Sequence, residues 1–142
     1  MERRAGGRSI GGMRTLLAAL AAALAFAATA SAALPPKELV GKWTRTVTAS
    51  DVRRAHSTKI IPGTTWTLVI AQHEARVSTA GGVPLKGNVV PSNATQVNIE
   101  LGAQKPNLYD WRRSGKKLIL HARVDQVADR AAVLGGVWNK RP

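Results

Sequence analysis

Gly41-Lys42-Trp43-Thr44-Arg45 and Gly136-Val137-Trp138-Asn139-Lys140 are near-copies that read Gly-x-Trp-x-(Lys/Arg). Period-2 spacing of the large residues marks each as a half-buried strand. They are the first and last strands of one domain. A sheet edge carries unpaired N–H and C=O groups, and pairing the first strand with the last removes both edges. The chain contains no cysteine, so no disulfide helps a domain this small hold together. Closing the sheet serves instead, and the two tryptophans are expected near one another at the seam.

Alternation recurs between these two stretches. Trp66, Leu68 and Ile70 form one series. Ala75 to Thr79, Val97 to Leu101, Tyr109 with Trp111, and Leu118 to Val124 form others. Leu85 to Val90 is a weaker strand, cut by Gly87. Turn residues separate them: Pro62-Gly63, Ala80-Gly81-Gly82, Pro91-Ser92-Asn93, Lys105-Pro106-Asn107 and Ser114-Gly115. The sum is about eight short strands, the pattern of a sandwich or barrel. Residues 125–134 (DQVADRAAVL) lack alternation and read as a short helix stopped by Gly135-Gly136. Residues 49–61 form a long basic loop, either a lid or an irregular connection.

The N-terminus carries a different signal. Arg3, Arg4, Arg8 and Arg14 precede an uncharged apolar run from Leu16 to Ala28. Small residues follow at Ala28, Ala30 and Ala32, as an export signal requires. Cleavage is expected after Ala32, with Ala30 the other candidate. Met13-Arg14 also begins a complete signal by itself. The run is shorter than the ~20 residues that span a bilayer. The expected product is a secreted or extracytoplasmic domain over 33–142. Residues 1–32 hold four of the 21 basic residues and one of the eight acids, so that domain keeps a formal charge of +10. A basic balance favours acidic partners and also serves solubility. The Ala, Arg, Val and Gly content fits a GC-rich bacterial source.

With Pro35 to Val40 as a lead-in turn and Gly41-x-Trp43 as its first strand, the domain resembles the lipocalin or calycin barrels, in their small exported bacterial form. The resemblance implies an all-β, eight-stranded antiparallel up-and-down barrel with one short helix before the last strand. It implies that Trp43 plugs the closed end beneath a basic side chain. Arg130 is the favoured residue for that place, with Lys140 and Arg141 as alternatives. Gly41, Trp43, Arg130 and Trp138 are then structural. The chain departs from the family in its short length, its missing disulfide and its missing long C-terminal helix.

Trp66, Tyr109 and Trp111 fall on inward positions, where they line a cavity or fill a core. Arg45 shares a face with Trp43. A charge directed inward must be paired or wet, which puts Arg45 at a barrel end or in a pocket for an anion. Trp66, Tyr109, Trp111 and Arg45 are therefore the candidate ligand-binding residues. Arg112, Arg113, Lys116 and Lys117 surround one hairpin turn as a basic surface. His56, His73 and His121 have no metal-ligand spacing, so no metal or cofactor is expected. Asp51, His56 and Ser57 share a loop without a nucleophile elbow.

Three functions compete. The leading one is an exported lipocalin-like protein that holds a small apolar or amphipathic ligand in a barrel cavity. The alternative is an envelope-associated module whose basic surface contacts acidic polymer, lipid or protein. The third is an enzyme using Asp110, His121 and Arg45, for which no full constellation is present. A monomer without a specific nucleic-acid partner is expected.

Overall fold

The computed structural model describes residues 33–102 and 105–142. The expected export signal over 1–32 lies outside the described residues. The strands are β1 (Gly41–Thr46), β2 (Thr65–Ala71), β3 (Glu74–Thr79), β4 (Leu85–Asn93), β5 (Gln96–Leu101), β6 (Asn107–Ser114), β7 (Lys117–Asp125) and β8 (Gly136–Lys140). Helix α1 (Ala49–Ala55) follows β1, and α2 (Ala128–Leu134) precedes β8. Each strand pairs antiparallel with the next, and β8 returns to β1, closing an up-and-down barrel.

Closure is achieved by few residues. The register of β1 on β8 is Trp43 against Lys140 and Thr44 against Asn139. Trp43 and Trp138 are both fully buried, on neighbouring strands. Their indole N–H groups are satisfied toward opposite ends of the barrel. Trp43 donates to the Leu39 carbonyl in the entering turn (3.0 Å), and Trp138 to the Leu134 carbonyl at the end of α2 (2.8 Å). Gly41 and Gly136 have φ near +145° and +140°, a conformation that side chains rarely allow. The two Gly-x-Trp motifs are thus the same local structure built twice.

The basic residue of each motif lies over the tryptophan of the other. Lys140 Nζ is 5.5 Å from the Trp43 ring centre, and Arg45 Cζ is 5.7 Å from that of Trp138. Arg113 also stands over Trp43, at 5.6 Å. Arg130, the favoured partner of Trp43 by family resemblance, sits elsewhere. It is held by Asp125 near the start of α2.

Between the two tryptophans the interior is packed. Leu68, Ile70, Val89, Val97, Ile99, Tyr109, Leu118 and Leu120 are essentially inaccessible. Each such side chain contributes about 1.5–3 kcal/mol of burial free energy. The base of the barrel carries the entering turn, the Gln72-His73, Ala94-Thr95 and Gly115-Lys116 turns, and the C-terminus. The mouth carries both helices. Three strand junctions are irregular, the β6–β7 ladder through a register shift between Leu108 and Tyr109. Strand β4 runs on through Pro91 with a shifted register, so the β4–β5 turn falls at Ala94-Thr95 rather than over Pro91 to Asn93. Strands β5 and β6 pair only at Gln96–Asp110 and Val97–Tyr109. The buried Asn107 side chain extends that junction by accepting the Ile99 N–H at 2.7 Å.

Among the described glycines, Gly87 has the closest approach to a neighbouring backbone. A Cβ there would lie 1.4 Å from the Glu100 carbonyl oxygen across the β4–β5 ladder. Gly87→Ala is expected to cost about 2–4 kcal/mol, as strand separation in a packed barrel should. Urea unfolding checks this, with Gly63→Ala, which meets no atom within 4 Å, losing only about 1 kcal/mol to backbone strain.

Candidate functional site

The mouth is organised around two buried ion pairs. The first belongs to Arg45. One terminal nitrogen of its guanidinium donates to the carbonyls of Val133 (3.1 Å) and Gly135, at the C-terminal end of α2. The other donates to the Asp51 carboxylate. Asp51 is the third residue of α1 and forms a capping box with Thr48. The Thr48 N–H and hydroxyl both donate to Asp51 Oδ2 at 2.8 Å, and the Asp51 N–H donates back to the hydroxyl. This box is why residues 49–55, expected as loop, are helical. Gly136 makes room for the arginine, since a Cβ there would sit 2.5 Å from the guanidinium.

The second pair is Arg130 with Asp125, whose side chains are 3% and 1% exposed. Asp125 accepts from Arg130 Nε (2.9 Å) and Nη2 (2.7 Å), from the Val127 N–H (2.8 Å) and from the Tyr109 hydroxyl. Burial, and then the neighbouring Asp125 carboxylate, push the Tyr109 phenol well above its ordinary pKa, so it remains a donor. Val127 itself supplies no cap to α2. Asp125 does so from the end of β7. The Ser57 hydroxyl donates to Asp129 at 2.6 Å and ties the α1 loop to α2.

Among the described residues two clefts open toward the mouth: one of about 430 Å3 beside Asp51, His56, His121 and Asp125, and a smaller, more apolar one of about 220 Å3. Trp66, Ile60, Val77, Leu101, Val133 and Leu134 form most of the smaller cleft's wall, with Asp129 and Arg130 on its polar side. The four residues expected to bind ligand do not converge there. Trp66 lines the cleft. Tyr109 is core, with its hydroxyl already used. Arg45 is at the mouth end, but its terminal nitrogens are taken by Asp51 and helix carbonyls and its guanidinium lies over Trp138. Trp111 packs half-buried against the core, outside the cleft wall.

Ile60, Leu101, Val133 and Leu134 went unnoticed in the sequence as cleft residues. They come from a loop, a strand end and a helix that only the fold brings together. Asp110 and His121 face each other across β6 and β7, with Arg123 also on Asp110, on the outer surface and apart from Arg45. Asp51 and Ser57 are committed to Arg45 and Asp129, and His56 is the exposed left-handed cap of α1. Arg112, Arg113, Lys116 and Lys117 are all exposed around the β6–β7 turn at the base.

Comparison with family models, curated proteins and solved structures returns no match. The geometry alone therefore carries the functional reading.

Burial alone would raise the Asp51 carboxyl, but the Thr48 donors and the Arg45 guanidinium outweigh it and hold the pKa below its ordinary value. The folded state thus favours the carboxylate. Its contribution is whole above the unfolded value of ~3.9 and is lost as pH falls through the lower folded value. Asp51→Asn should cost about 3 kcal/mol at neutral pH, because it leaves Arg45 buried against a neutral amide. It should also flatten the loss of stability below about pH 4. Denaturation curves collected across that range check both effects.

Proposed function

We propose that this domain is an exported, lipocalin-like carrier or sensor of a small, uncharged, largely apolar ligand, which it takes at the mouth of the barrel. The observation that carries the reading is the cleft of about 220 Å3 walled by Trp66 and aliphatic side chains. Apolar walls with a few polar groups at one side are the usual composition of small-molecule sites. The packed interior supports a site at the mouth in place of the barrel axis, between the barrel rim, the Ser57–Ile60 loop and α2. The cleft lies below the roughly 300–1,000 Å3 of drug-sized pockets, so the ligand is smaller than the lipids and pigments that fill a hollow barrel. Asp129 and Arg130 are tied to Ser57 and Asp125, which leaves a ligand charge no partner and favours a neutral molecule.

Titration with a neutral naphthylamine probe, read by probe fluorescence and energy transfer from tryptophan, tests the reading. Micromolar binding is expected, with energy transfer reduced in Trp66→Phe. Val133→Trp fills the cleft and should weaken binding at least about tenfold, equivalent to ~1.4 kcal/mol. Near-UV circular dichroism confirms that each variant is folded. Undiminished binding by folded Val133→Trp, or no binding by the parent protein, would sink the proposal.

A further inference from the structure

The base of the barrel carries its own signal, separate from the mouth cleft. Lys37 and Lys42 lie on the entering turn and β1. Arg112, Arg113, Lys116 and Lys117 surround the β6–β7 turn, and Lys140 and Arg141 lie at and just after the end of β8. The fold joins these stretches. The Lys140 N–H donates to the Lys116 carbonyl (2.7 Å) and the Arg141 N–H to the Lys42 carbonyl (2.9 Å). Lys140 and Arg113 share the Trp43 ring. All eight cations are exposed. Among the described residues no carboxylate forms an ion pair with any of them. Glu38 is the sole acid in these stretches. Asp51, Asp125 and Asp129 are at the mouth.

We infer that this basic pole docks on an anionic lipid surface. The cations cover the blunt end of a barrel and do not line a groove, so they suit a flat partner. Exposed apolar residues accompany them: Leu34 is 66% exposed and Val40 37%. Apolar side chains among Lys and Arg are the composition of an interfacial membrane contact. A single-stranded nucleic acid would need aromatic platforms. At this end Trp43 is fully buried beneath its cations.

Flotation of the full chain with phosphatidylcholine vesicles, with and without about 30 mol% phosphatidylglycerol, tests the inference. Binding should rise with the anionic lipid and fall as salt increases from about 50 to about 500 mM. Neutralising Arg112, Arg113, Lys116 and Lys117 to Gln should lower partitioning onto anionic vesicles at least about tenfold. A matched set at the mouth end (Arg53, Lys59, Lys86 and Lys105 to Gln) removes the same charge and should lose much less. Circular dichroism confirms that both sets fold. Equal losses from the two sets would overturn the inference, since net charge alone would then explain binding. Equal partitioning onto neutral vesicles, or release from anionic vesicles by stoichiometric duplex DNA, would also overturn it.

Discussion

Arg45 is the side chain on which the mouth of this barrel depends. Directing a guanidinium inward from the first strand costs several kcal/mol unless its charge and N–H groups are met. Meeting them fixes four elements together. Asp51 brings α1, the Val133 and Gly135 carbonyls bring the end of α2, Trp138 brings β8, and Gly136 must lack a side chain for the arginine to fit. The arrangement trades a costly burial for a unique placement of both helices.

The two tryptophans divide the remaining interior. One bonds toward the base and one toward the mouth, and aliphatic layers close the space between them. The barrel is a support for its ends more than a container. The mouth is pre-shaped because α2 is fastened at both termini, by Asp125 at its start and Arg45 at its finish. Walls fixed in this way would need little reordering if a small molecule entered the cleft.

Much of the barrel was legible because strand alternation is local. The eight strands, the α2 region and the pairing of β8 with β1 follow from period-2 spacing, turn residues and the absence of cysteine. Arg45 was legible as a dilemma, and the fold resolves it by pairing at the barrel end. Helix α1 was missed although Thr48-x-x-Asp51 is a capping signature, because the segment's charge masked its short period. The β4–β5 turn was misplaced because Pro91 looks like a breaker, whereas a bulge accommodates it. The cleft was illegible for a deeper reason. Its wall draws on residues from Ile60 to Leu134, and no pattern along the chain records which of them meet. The partner of Trp43 was legible in part: Lys140, one of the alternatives, stands over its ring, whereas Arg113 reaches it from another strand and Arg130 answers to Asp125.

The closing seam has a consequence for how the chain acquires this structure. Trp43 waits for Lys140, and Arg45 waits for Gly135 and Trp138, which come from the other end of the chain. A chain in which only the first strands have formed holds an arginine without its β8-side partners and two open sheet edges. Such long-range closure is slow compared with local helix formation. The residues of β8 therefore decide when the barrel can close.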